Sequence, residues 1–188
     1  MTMFQDIMAG AIPARLTVDQ VYDLTAAGVF AENEHFELID GEIVPRAAAK
    51  ANWHDAMATK LNRALVRSLC DRWRLHVEPS VTLNDTTLVE PDFAVWPVGV
   101  YSRDVRGSDM VLVIEVADSS LGYDLCVKAP LYAEHGVRDY WVVDAVRQTI
   151  RVHREPVAGR YRDVAEYEAH DPVAALLAGV TIRLDALD

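Results

Sequence analysis

Two hydrophobic rhythms alternate along the chain. "LTVDQVYDLTAAGV" repeats apolar residues at helical spacing, with Val21 and Leu24 inward, Thr17 and Gln20 set as a capping box and Gly28 placed to end the helix. "HFELIDGEIVP" then switches to period two around Asp40-Gly41, the signature of a hairpin with a type I′ turn, and puts Glu37 on its first strand. From His54 to Leu69 the helical period returns: Met57, Leu61, Leu65 and Leu69 form one apolar stripe, with Lys60, Arg63 and Arg67 off it.

"RLHVEPSVTL" and "LVEPDFAVWP" predict strands whose prolines mark an edge or a strand start. "MVLVIEVA" is more uniformly apolar and predicts a central strand. "YWVVD" and "TIRVHRE" predict a pair of strands joined by a turn near Ala145 to Arg147. Between them, "LCVKAPLYAEHGV" fits the end of a short helix closed by Gly136, with Pro130 complicating its start. The tail predicts a short helical turn and a last strand. The fold class expected is mixed α/β, a central sheet flanked by helices.

The 188 residues fit one domain spanning the whole chain, with residues 1–15 as an N-terminal extension. An apolar fraction of 51% and a charged fraction of 25% are those of a globular protein, and no apolar run approaches the roughly 20 residues that span a bilayer. The opening "MTMFQDIMAGAIPARLT" lacks a basic start followed by an apolar core, so no secretory signal is expected and the location expected is cytoplasmic. Cys70 and Cys126 stand apart with no ligand spacing around them; buried free thiols are expected, and neither a zinc site nor a disulfide. The net charge of −11 opposes nucleic-acid binding unless local cations or metal ions compensate.

One charge breaks the pattern. In "VLVIEVAD" period two puts Val111, Val113, Glu115 and Ala117 on one face, so the carboxylate of Glu115 has only apolar companions there. A solvated face would show other polar residues, and an unpaired buried charge costs several kcal/mol, on the order of a whole domain's spare stability. Asp92, after Pro91, can meet Glu115 across the ladder if their strands pair antiparallel, and Lys128 lies just beyond. Two converging carboxylates call for a cation between them, and Mg²⁺ typically takes one or two carboxylates plus waters and phosphate.

"PDFAV", "VLVIEVADSS", Asp124, Lys128 and "YAEHGVRDYWVVD", with "FELIDGEIV", His54 and "LLAGVTIRLDAL", resemble the Uma-two family of endonucleases, a bacterial branch of the PD-(D/E)XK superfamily. The resemblance runs from about residue 15 to the C-terminus. It implies a restriction-endonuclease-like core in which Asp92 and Glu115 hold Mg²⁺, with Mn²⁺ as a substitute, and Lys128 assists the attack on DNA. The superfamily's usual lysine, two residues after the acid, is here Ala117; in this family the lysine stands on the following helix, where Lys128 matches. Glu37 matches a further metal ligand or water-orienting acid, and His54 a histidine that opens the first core helix. Asp118 and Pro130 depart from the family pattern beside the site. Tyr123, Asp124 and Tyr132 are expected at its border, Trp141 in the core or a dimer interface, and Arg63, Arg67, Arg72 and Arg74 in a phosphate-tracking patch. A homodimer is expected by analogy with superfamily nucleases. The alternative reading is a nuclease-like fold that holds DNA or a protein without hydrolysis.

Overall fold

The structure, a computed structural model, describes residues 10, 15–30, 35–46 and 52–188. Its backbone gathers into two units, one from the described part of Met1–Ala49 together with Ser80–Glu90, the other from Lys50–Pro79 together with Pro91–Asp188.

The first unit holds a four-stranded sheet of order β2-β1-β5-β4, from β1 (Phe36–Ile39), β2 (Glu42–Pro45), β4 (Val81–Asn84) and β5 (Thr87–Val89). Asp40 and Gly41 both take positive φ, 50° and 81°, as a type I′ turn requires. Helix α1 (Val18–Ala26) begins with the expected capping box, Thr17 Oγ1 accepting from the Gln20 N–H and Gln20 Oε1 from the Thr17 N–H. It stops at Gly28, whose φ of 71° a side chain would resist. Val18 and Val21 bury themselves with Leu16, Phe30, Leu38 and Leu88.

In the second unit a six-stranded sheet has the order β10-β9-β8-β7-β6-β3. Its strands are β3 (Trp73–Val77), β6 (Phe93–Pro97), β7 (Leu112–Ala117), β8 (Asp139–Asp144), β9 (Thr149–Val157) and β10 (Arg160–Tyr167). The sheet is mixed: β7 pairs parallel with β8 and antiparallel with β6. Helix α2 (Asn52–Ser68) lays Met57, Leu61 and Leu65 against Phe93, Val95, Leu112, Ile114, Val116 and Trp141. Residues Val113 and Glu115 alternate to the opposite face. There the connection from β7 to β8 runs through a helical turn (Leu121–Tyr123), a π-helix (Asp124–Lys128) and α3 (Ala129–Glu134). Gly136, φ 80°, ends that segment as expected.

The two prolines do more than mark edges. Pro79 and Pro91 fall where the chain leaves the six-stranded sheet after β3, forms the β4–β5 hairpin and returns at β6, so each of the two predicted strands is split between sheets. A proline has no N–H for the ladder, which breaks the strand there. The Glu78 N–H donates to the Asp92 carbonyl at 3.0 Å and closes the gap between exit and return. The tail differs from expectation: Val173–Ala174 (β11) pairs antiparallel with Thr181–Ile182 (β12), and the helical turn, Leu184–Ala186, follows the last strand. Strand β10 carries no apolar alternation, because as a sheet edge it is largely exposed, and the sequence pattern passes over it. Both cysteines are exposed, against the expected buried thiols: Cys70 lies past the end of α2, and Cys126 on the outer side of the π-helix.

Candidate functional site

Asp92 sits at the bend that opens β6 and is 3% exposed. Its Oδ2 accepts the Val116 backbone N–H at 2.7 Å, and both of its oxygens lie 3.2 Å from Nε2 of His54. A carboxylate can only accept, so Nε2 carries the hydrogen. His54 reaches it because it stands three residues before Met57, at the start of the buried stripe of α2. Its other nitrogen, Nδ1, is buried without a hydrogen-bond partner among the described residues and lies 3.6 Å from Asp55 Oδ1.

Across the ladder, the register pairs Phe93 with Ile114, and Asp92, one residue before Phe93, reaches the N–H of Val116, the residue after Glu115. The antiparallel pairing on which their meeting depended is present. Glu115, 2% exposed in the middle of β7, receives two donors on the same oxygen: Lys128 Nζ at 2.9 Å and the Tyr132 hydroxyl at 2.9 Å. Both come from the helical segment packed on that face of the sheet.

Asp124, Lys128 and Tyr132 are spaced four apart, so one side of the helical segment presents all three. Lys128 Nζ is 3.9 Å from Asp124 Oδ1, and Asp124 is tied in turn by Ser120 Oγ at 2.7 Å. The ammonium also stands 5.8 Å from the centroid of the Tyr123 ring. Pro130 explains the local backbone. Without an N–H it cannot bond the carbonyl four residues back, and the chain widens just before it: the Ala129 N–H bonds the Asp124 carbonyl five residues back. Far from preventing Lys128 from turning inward, the proline follows a π-turn that delivers it to Glu115.

The structure thus brings together Asp92 with His54, and Glu115 with Lys128, Tyr132 and Asp124. Glu37 lies in the other unit, 1% exposed, where its Oε1 accepts the Glu90 N–H at 2.9 Å. Trp141 is core, fully buried with its indole N–H on Asp139 Oδ1 at 2.8 Å. Asp118 is half-buried, and Arg63, Arg67, Arg72 and Arg74 are exposed. The bond from Ser120 to Asp124 escaped the sequence reading, although their spacing of four was visible. The carboxylates of Asp92 and Glu115 are hard oxygen donors, the ligand type that Mg²⁺ takes in ones or twos when waters complete its shell. Among the described residues no group of three or more His, Cys, Asp or Glu side chains gathers to hold a metal.

The Uma2 family model, described as "Putative restriction endonuclease", matches residues 18–185. No curated protein matches the sequence. Among solved structures, a crystal structure of a "putative nuclease belonging to DUF820" from Anabaena variabilis superposes with a TM-score of 0.72 at 16% identity, over 90% of this chain and 96% of that one. At that identity the likeness shows the fold. No helix among the described residues is long and apolar enough to cross a membrane.

Proposed function

The chain belongs to the Uma2 family, and from that premise we propose that it is a metal-dependent endonuclease that hydrolyses phosphodiester bonds in DNA. The observation that carries the reading is Glu115: a buried carboxylate in the central strand, held by a buried lysine and next in sequence to Val116, whose N–H binds Asp92. A fold alone would not need that arrangement, since apolar packing at position 115 would cost less than a desolvated ion pair.

Asp92 and Glu115 would hold Mg²⁺ or Mn²⁺. Such an ion supplies Lewis-acid polarisation of the phosphoryl group and a more acidic water. The protein's own residues do the rest. His54 and the Val116 N–H fix the Asp92 carboxylate, and Tyr132 and Lys128 fix that of Glu115. The Lys128 ammonium, already oriented in a dry setting, stabilises the negative charge that grows on the phosphoryl oxygens as water attacks phosphorus and the ester P–O bond breaks. The proposed assembly is a homodimer, one protomer for each strand.

Calorimetric titration with Mn²⁺ tests the premise. The wild type is expected to bind and Asp92→Asn, which keeps an acceptor for Val116, to lose that binding. Equal titration curves for the two proteins would remove the metal from the reading.

A further inference from the structure

We infer that the outer face of α2 is a track for a single DNA strand, with Trp53 as the platform on which an unpaired base stacks beside Asp92; this rests on the nuclease reading. At 100° per residue, Trp53, Lys60, Arg63 and Arg67 fall within about 80° of arc, centred about 120° from the stripe of Met57, Leu61 and Leu65, with Trp53 at the edge nearest Met57. All four are exposed.

Trp53 is 61% exposed, unusual for an indole, which is normally well covered. It is the covalent neighbour of His54, whose imidazole touches Asp92. The aromatic end of the stripe is thus one residue along the helix from the side chain that holds the carboxylate.

The charge of the stripe is complementary to a phosphate backbone. In a chain with 29 acidic residues, none occurs between Asp55 and Asp71, so the helix face is a local exception to the net charge of −11. Arg63 and Arg67 make no ion pair among the described residues. Lys60 donates to the Leu187 carbonyl at 3.2 Å, which does not exhaust its three donors. From Lys60 to Arg67 the helix rises about 10 Å, a length matching roughly three phosphates of one strand. A line of cations ending in an exposed aromatic ring is the combination by which single strands are held, charge along the backbone and stacking on a base.

Fluorescence anisotropy with a labelled 20-nucleotide oligo-dT, in EDTA so that no cleavage occurs, tests the track. Three variants are compared with wild type: Trp53→Ala, the triple change Lys60→Gln, Arg63→Gln, Arg67→Gln, and Arg162→Gln on exposed β10 as a control. All five positions are on the surface, and circular dichroism checks the folds. Trp53→Ala is expected to weaken binding about tenfold or more. The triple variant is expected to reduce the slope of log affinity against log salt by about 2, at about 0.7 for each phosphate no longer neutralised, while the control changes neither. Affinity and slope that ignore both changes, or no binding by the folded wild type, would overturn the track. Nicking of plasmid by a wild type whose affinity ignores the stripe would overturn the track alone. Binding that follows the stripe in a protein that never nicks DNA with Mn²⁺ would keep the track and overturn the nuclease reading.

Discussion

The ammonium of Lys128 lies 2.9 Å from Oε1 of Glu115, with both side chains 3% exposed. Removing one partner from such a pair leaves a desolvated charge. Lys128→Ala is therefore expected to lose about 3–5 kcal/mol of stability in urea titration, whereas Lys128→Met with Glu115→Gln should recover most of it. A single variant as stable as wild type would mean that the pair is hydrated or not formed.

Tyr132 donates to the same carboxylate oxygen and is fully buried, its ring 4.9 Å from that of Tyr140. Tyr132→Phe keeps the ring and deletes the hydroxyl. A loss of about 1.5–3 kcal/mol is expected, the range for a hydrogen bond to a charged group, measured by denaturant unfolding. Loss of the ring in Tyr132→Ala should cost more, by cavity formation.

His153 gives the fold an acid limit. Burial holds its pKa below the ordinary 6.5, the nearby Arg151 adds to that, and two backbone hydrogen bonds, to Tyr140 and Arg151, oppose it. Its Nδ1 is buried without a hydrogen-bond partner among the described residues. With the folded value below the unfolded one, the unfolded chain binds the proton more readily. Stability is therefore full above about pH 6.5 and falls as pH drops from there toward the folded value. Unfolding free energies followed from pH 8 to pH 5 should show this decline, and His153→Phe should flatten it. An unchanged slope in the variant would assign the decline to other groups.

Much of the fold was legible because local chemistry and packing agree. The capping box of Thr17 and Gln20, the Asp40-Gly41 turn and the stripe of Met57, Leu61 and Leu65 each express one short-range rule, and each is present. Glu115 was legible for the opposite reason: a charge among Val111, Val113 and Ala117 needs a partner, and the helical segment supplies one. What escaped depends on long-range arrangement. Pro79 and Pro91 were visible as strand breakers, but nothing local says that the chain enters a second sheet between them. Strand β10 is an exposed edge, so burial imposes no alternation on it. The π-turn before Pro130 is a compromise between a missing N–H and a continuous helix, and only the backbone reveals its outcome.

His54 and Asp92 separate positioning from charge. His54→Gln retains a donor that can reach the carboxylate, whereas His54→Ala leaves Asp92 with one donor fewer. Mn²⁺ affinity should fall about 10- to 100-fold in His54→Ala, the usual effect of losing a group that orients a metal ligand, and less in His54→Gln. Equal affinity in both variants and wild type would confine His54 to packing.

The central claim is that Glu115 and Lys128 form a working hydrolytic site. Its most direct test is conversion of supercoiled plasmid to nicked and linear forms in Mn²⁺, comparing wild type with Glu115→Gln and Lys128→Gln at equal folded concentration. Nicking by wild type and a loss of at least about 100-fold in each variant are predicted, as for removal of a group that stabilises transition-state charge. Undiminished nicking by Glu115→Gln, or none by the folded wild type, would contradict it.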